Sequence, residues 1–266
     1  MTAKTKKQAS ENPGSFSAER HKKDLRPIIP PNYGEDIGKL VFFDIETAPL
    51  REVKNYADYD KEPPKNYKKE ESIVAWRRAS VAKQIEKAAL DPDLCRVVAI
   101  GWWTQDGEPQ SVMAKTTCEE QDAIRTFWKA VGAGCVVGYN CIAFDLPVLL
   151  RRSMYLGIRK EIPDFYLSKY RPSANIVDVM VRLSMDGLLS YRSLNWYARR
   201  CGLLQGLPDV SGRDIPRLVE ADQWDMVRQH VEEDVRLLRE LAIYCRIPAR
   251  VKHIAATERL KRMKQG

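Results

Sequence analysis

"LVFFDIET", residues 40–47, places four apolar residues directly before Asp44, with Glu46 two positions later. An unbroken apolar run of this length is the form of a central strand covered on both faces of a sheet. In a strand, residues i and i+2 share a face, so Asp44 and Glu46 stand side by side. Like charges at that spacing raise each other's pKa. Either the pair lies at an exposed strand end, or a cation offsets the repulsion.

Outward from this strand, the chain alternates between periods of two and of 3.6. Residues 51–92 are an insertion, first the charged loop "DKEPPKNYKKEE", then a helical stretch. There Ile73, Trp76, Val81, Ile85 and Ala88 are the candidate buried positions. "CRVVAIGWW" (95–103) and "QSVMA" (110–114) flank a turn and read as an antiparallel hairpin, with Trp102 and Trp103 on opposite faces. Thr117 and Glu120 have capping-box spacing, and Ile124, Phe127, Trp128 and Val131 form a helical stripe. "GCVVGYN" (134–140) is a short buried strand, "FDLPVLLRRSMYLG" a helix ending at Gly157, and "ANIVDVM" (174–180) a fifth strand. The remainder is mainly helical: "SLNWYARRCG", a Gly/Pro/Asp loop near 205–214, and a long helix over about 222–245. This order predicts an α/β layer structure with a mixed five-stranded sheet flanked by helices.

Several other residues carry chemistry. In the long helix, Asp234 falls in the apolar stripe of Val227, Val231, Leu238 and Leu241, and His230 lies one turn before it. A carboxylate facing a core is costly unless it is paired, hydrogen-bonded or bound to a metal. Arg228, Glu232, Arg236 and Glu240 form a separate face, where Glu232 and Arg236 are spaced to pair. Taken alone, Asp145 reads as an N-cap, with Pro147 in the first helical turn. Asp178 reads as a strand-end acid or a helix cap. His21 and His253 fall in the basic ends and read as solvated.

The net charge of +8 and pI near 9.1 fit a polyanionic partner. Residues 1–37 read as a basic flexible tail, and residues 247–266 as a second. From Arg246 onward seven Lys or Arg face one acid, Glu258. The six cysteines show no zinc spacing, and several lie in apolar segments. With no apolar membrane run and no leader-like segment, the expectation is a cytoplasmic, reducing compartment.

"FFDIET", "GYNCIAFDLPVL" and "HVEEDVRLL" together resemble the three exonuclease motifs of the DEDD 3'–5' exonuclease superfamily, which has an RNase H-like fold. The likeness is to predicted exonucleases similar to the proofreading domain of family B DNA polymerases. It extends over about residues 38–246, through "EKAALDPDLCRVVAIGWW", "SLNWYARRCGL" and "GLPDVSGRDI". The resemblance implies a site of four acidic ligands, Asp44, Glu46, Asp145 and Asp234, holding two divalent cations, Mg²⁺ or Mn²⁺. It also implies substrate contacts from Ile45 and Thr47 of the first motif and from Asn140 and Phe144 of the second. One branch of the superfamily has a Tyr four positions before the last Asp; the other has a His five positions before it. Here His230 stands four before Asp234, a histidine in the tyrosine's place. As a catalytic residue it would orient the attacking water or take its proton.

The implied reaction is removal of nucleoside monophosphates from 3' ends, DNA rather than RNA and single-stranded ends first, with the cations about 4 Å apart. Asp44 would bridge both ions, Glu46 and Asp234 complete the first, and Asp145 hold the second through water. Two other readings use the same fold: a nucleic-acid-binding module with weakened catalysis, and an RNA exonuclease or RNase H-like endonuclease. Four intact carboxylates argue against pure binding, because acids repel a polyanion. The pathway, whether replication, repair or a mobile element, is open at this level.

Overall fold

The computed structural model describes residues 39–104, 107–163, 175–204 and 210–247. Residues 1–37 and 248–266 of the expected basic tails, with His21 and His253, lie outside the described residues, as do positions 205–209 of the Gly/Pro/Asp loop; Ile247, assigned to the tail, is buried in the core.

Five strands form one mixed sheet: β1 (Leu40–Pro49), β2 (Cys95–Thr104), β3 (Pro109–Met113), β4 (Cys135–Gly138) and β5 (Ile176–Asp178). Their order is β3-β2-β1-β4-β5. β2 runs antiparallel to both β1 and β3, while β4 is parallel to β1 and to β5. β1 is therefore central, as its apolar run requires, and the carboxyl ends of β1, β4 and β5 share one edge. This is the RNase H-like arrangement: a mixed five-stranded sheet with helices on both faces.

β1 alternates between the two cores. Val41, Phe43 and Ile45 enter one cluster with α2 (Thr117–Val131) and α3 (Asp145–Tyr155). Leu40 and Phe42 enter the other, against α5 (Leu194–Arg200) and α7 (Trp224–Tyr244). α6 (Ile215–Glu220) and the first half of α7 continue that second layer through Ile215, Leu218, Val227 and Val231. On the α2 face, Phe127 packs on Phe43 and Trp128 with ring centroids 5.1 Å apart in each case. Burial of side chains this large stabilises by roughly 1.5–3 kcal/mol each. Trp102 joins that aromatic cluster, whereas Trp103 packs on the opposite core beneath Arg239, so the two tryptophans do take opposite faces.

Three local expectations need correction. The capping box belongs to Thr116 and Glu119, one residue earlier than the spacing of Thr117 and Glu120 suggests. Glu120 cannot turn back to cap because it is buried under β2. There it accepts the Val97 amide at 2.8 Å and two nitrogens of Arg152, Nε at 2.7 Å and Nη2 at 2.8 Å. Glu232 does not pair with Arg236. It accepts the Ser111 hydroxyl from β3, and Arg236 instead bridges Glu233 and Glu240. In the insertion, α1 (Glu70–Glu86) has no buried residue, and Ile73, Trp76, Val81 and Ile85 are only half-buried. Ala88 alone of the five is buried, with Val53 and Leu94. A helix standing off the sheet has one side available for packing, too little to cover a full stripe.

All six cysteines are free, and Cys95, Cys135 and Cys141 are buried like small hydrophobes. Among the described residues no helix is long and apolar enough to cross a membrane.

Candidate active site

The first two acids follow from strand parity. Asp44 and Glu46 share the α7 face of β1, continuing the alternation of Leu40 and Phe42. Glu46 is buried and Asp44 half-buried. Immediately after Glu46 the register against β2 slips: Glu46 opposes Ala99, but Thr47 opposes Val97. Such a bulge re-aims side chains at a sheet edge.

α7 supplies two more groups, and β2 lets it come close. Gly101 is the register partner of Asp44. A Cβ there would meet Val231 Cγ2 and Val235 Cγ2 at 3.0 Å and the Val231 carbonyl at 3.1 Å, so the helix backbone rests on a glycine. That approach sets His230 Nε2 3.4 Å from Glu46 Oε1 and 3.8 Å from Asp234 Oδ2. Glu46, His230 and Asp234 each offer one ligand atom, all within 4.8 Å of one another. His230 is thus a member of the group that could hold a metal, not only a neighbour of it. Asp44 and Asp145 lie outside this group of three, although Asp145's charge acts on Glu46, and the charges of Glu46 and Asp234 act on Asp44.

Asp145 arrives from the β4–α3 connection. It is not the cap its position suggests: Phe144 occupies the N-cap site, without a capping bond, and Asp145 is the first helical residue, 4% exposed. Its carboxylate accepts the backbone amide of Ile45, which ties the start of α3 to β1 between Asp44 and Glu46. The connection is held by Asp178 at the end of β5, whose carboxylate accepts four backbone amides. Two, Met180 and Val181, cap α4 (Val179–Leu183) at 3.0 and 3.2 Å; the others are Asn140 at 3.0 Å and Ile142 at 3.1 Å. Asn140 adopts a left-handed φ of 61°, and its carbonyl accepts the amides of Ala143 and Phe144 at 3.1 Å. At Gly138 any Cβ would fall 2.4 Å from Cys141 Cβ, so the turn closes only over glycine.

Sequence reasoning made Asp178 a strand-end acid or cap; the cap is present, and its bonds to Asn140 and Ile142 are an added role. Gly101 was missed, although a glycine inside the apolar run "VVAIGWW" is the signature of a close backbone approach. Ile45 points into the α2–α3 core, and Thr47 Oγ1 donates to the Ala89 carbonyl at 2.6 Å.

The electrostatics are one-sided. Burial pushes the Asp44 carboxyl well above its ordinary range, and Asp145, Glu46 and Asp234 add repulsion. Glu46 is raised by burial, then by Asp234 and Asp145. Burial lifts Asp145 to about 7, with Asp178 adding to it and the amides of Asp145 and Ile45 opposing. Asp234 is raised by burial and by Glu233, against the lowering pull of His230. Among the described residues no Lys or Arg forms an ion pair with any of the four, and His230 is their one basic neighbour at ion-pair distance. Glu46, Asp234 and His230 form a donor set whose chemistry fits a divalent cation, hard oxygens plus a borderline nitrogen, with Asp44 and Asp145 adding to the local negative charge.

None of the curated proteins compared matches the chain. Among solved structures, the family B DNA polymerase of the hyperthermophilic archaeon Pyrobaculum calidifontis is similar, at 19% identity and a TM-score of 0.49. The alignment covers 77% of this chain and 24% of that polymerase, so the chain spans about a quarter of its length. A family model described as "predicted 3'-5' exonuclease related to the exonuclease domain of PolB" matches residues 89–265, which hold Asp145, His230 and Asp234 but not Asp44 and Glu46. The match covers well over half of the sequence, and the chain belongs to this family of predicted 3'–5' exonucleases.

Proposed function

We propose that the protein is a metal-dependent 3'–5' exonuclease that removes nucleoside monophosphates from DNA, acting first on single-stranded 3' ends. The observation that carries this reading is the set of four mutually repelling acids on β1, α3 and α7, with His230 among them. A polyanion-binding surface gains nothing from such a set; a phosphodiesterase needs it to hold positive charge where the reacting phosphate sits.

Two divalent cations, Mg²⁺ or Mn²⁺, would when bound neutralise charge on the phosphate and acidify the attacking water. Glu46, Asp234 and Asp44 provide the oxygens on the α7 side, and Asp145 provides them from the start of α3. His230 Nε2 faces the acids and is the group available to orient the water or accept its proton. Because it also stands at ligand distance, His230 has two roles open to it in one geometry, and their readouts differ. As a proton acceptor, its replacement by Asn lowers the rate and leaves metal affinity unchanged. As a ligand, the replacement weakens metal affinity instead. Asn140 and Phe144, in the connection that Asp178 holds, would help to order the site, with Phe144 near the terminal nucleotide.

The test uses the full chain with end-labelled single-stranded DNA, duplex DNA and RNA, in Mg²⁺, Mn²⁺ or chelator. A ladder that shortens from the 3' end only with metal, and fastest on single-stranded DNA, is expected. Faster loss of RNA would reassign the substrate. Internal cuts would make it an endonuclease, and binding without cleavage in either metal would remove the catalytic reading.

A further inference from the structure

The acids at the site repel the phosphates of the strand they are proposed to cut, so affinity for that strand has to come from elsewhere. The segment after β5 has the needed chemistry. α4 is followed by a turn with left-handed backbone at Met185, Asp186 and Gly187. It exposes Leu188 at 86%, Leu189 at 55% and Tyr191 at 54% of their surfaces. Arg192 follows, then α5, on which Trp196 remains exposed. The Arg192 guanidinium lies 5.4 Å and that of Arg200 6.0 Å from the Trp196 ring centroid. Two cations against one indole, which meets the Tyr197 ring edge-on at 5.0 Å, with Tyr191 exposed one residue before Arg192, combine a stacking platform with positive charge.

Charge and position support the same assignment. Arg182 pairs with Asp186 at 3.5 Å, but Arg192, Arg199 and Arg200 are exposed and have no acidic partner among the described residues. The segment leaves the carboxyl end of β5, on the edge shared with the ends of β1 and β4. It is fastened there by the Tyr139 hydroxyl, which donates to the Arg192 carbonyl. Tyr139 directly precedes Asn140, which Asp178 holds at the site.

We propose that residues 185–200 form a track for an unpaired polynucleotide strand leading to the carboxylate site, with bases stacked on Trp196 and Tyr191 and phosphates on Arg192, Arg199 and Arg200. This rests on the exonuclease reading and adds where the strand lies upstream of its 3' end. The arrangement is indifferent to base identity, because every base has a face to stack while the guanidinia meet only the backbone.

The test is fluorescence anisotropy of a labelled 12-nucleotide single strand with the full chain in chelator, at several salt concentrations. Trp196→Ala is expected to raise Kd about tenfold or more, and Trp196→Phe, which keeps an aromatic face, about threefold or less. The double variant Arg192→Ala/Arg200→Ala is expected to flatten the slope of log Kd against log salt by about 0.7 for each phosphate it no longer neutralises. Both arginines are exposed, so this variant reports even where Trp196→Ala does not fold. Wild-type Kd and salt slope in the folded variants would overturn the track. Hydrolysis by the wild type in Mg²⁺ is measured separately: without it the exonuclease reading fails while the binding result still stands, and with it the binding result alone judges the track.

Discussion

The acids on the two faces of the same sheet are answered differently. Glu120, beneath the α2 face, is 1% exposed and fully answered: a bidentate bond from Arg152 and the Val97 amide. On the α7 face Asp44, Glu46 and Asp234 have each other and His230, and burial raises all three. Both groups cost desolvation. One recovers it within the chain; the other leaves the compensation to something that binds. A buried acid with its own arginine is architecture, whereas a set of buried acids with none is, on the proposed reading, the site.

The widest separation between the two faces is in activity. Asp44→Asn keeps the shape of the side chain and removes one charge from the set, and hydrolysis in Mg²⁺ is expected to fall by about 10³-fold or more, since the protein's work at such centres is electrostatic. Stability measured by denaturant should hold or rise, because a repelling charge is gone. Activity near wild type would show that the acids are not the reacting centre. On the other face Arg152→Met should do the reverse. It strands the Glu120 charge in the core at a cost of about 3–5 kcal/mol, read as a lower denaturation midpoint. Arg152→Met with Glu120→Gln should recover a large part of that loss; no recovery would mean that Arg152 acts through packing alone.

Next in size is the response to pH and metal. Asp145 holds its proton to about pH 7 in the fold, against an ordinary value of 3.8. A raised folded pKa gives stability that is fully present below the unfolded value and lost as pH rises through the folded one. Metal-free protein should therefore lose this contribution between about pH 4 and 7. In chelator, Asp145→Asn should melt several degrees above wild type at pH 8 and close to it at pH 4. Mn²⁺ should raise the wild-type melting temperature more at pH 8 than at pH 5.5, because protons compete for the same oxygens. A metal shift that does not change with pH would separate the raised acids from metal binding.

How much of this was legible before the structure depended on the range of the interaction. The apolar run into Asp44 fixed a central strand, and strand parity put Glu46 beside it. Helical period set His230 and Asp234 one turn apart on the inner face of α7. Contacts between distant segments were harder. Nothing near Arg152 in the sequence announces Glu120, 32 residues away, so the local capping rule claimed Glu120 and placed the box one residue late. Asp145 looked like a cap for the same reason: its partner, the Ile45 amide, lies a hundred residues upstream. Asp178 carried an acid at a strand end, but its bonds to Asn140 and Ile142 required the β4–β5 pairing. Gly101 was the one long-range contact with a local mark, a glycine where a central strand prefers a branched side chain.

That glycine gives a sharper test, because it sets the distance between the helix and the acids without being one of them. Gly101→Ala puts a methyl at 3.0–3.1 Å from Val231 and Val235, and backbone stands on one side of it. α7 has to move outward by a few tenths of an ångström, carrying His230 and Asp234 away from Glu46. Overpacking of this kind costs about 1–3 kcal/mol. If the α7 spacing sets the metal geometry, metal affinity should fall by more than the stability loss accounts for, while Gly157→Ala, at an open surface turn, should lower stability and leave metal affinity alone. Equal effects of the two substitutions on metal affinity would mean that the close approach serves packing only.

The smallest expected effect comes from the surface of the same helix. Arg236 bridges Glu233 and Glu240 but is nearly half exposed, as are its partners. Solvent screens such pairs, so Arg236→Ala should change stability by about 1 kcal/mol or less, and by less still in high salt. Glu233 is also a neighbour that raises Asp234. Freed from Arg236, its full negative charge bears on Asp234 one residue away. The substitution should therefore tighten metal binding slightly, a change visible in a Mn²⁺ titration at low salt and lost at 0.5 M salt, where the Debye length is only about 4 Å. Arg152 and Arg236 are then the two ends of one scale: the same guanidinium chemistry, with burial setting whether its loss undoes the fold or only adjusts the charge beside the site.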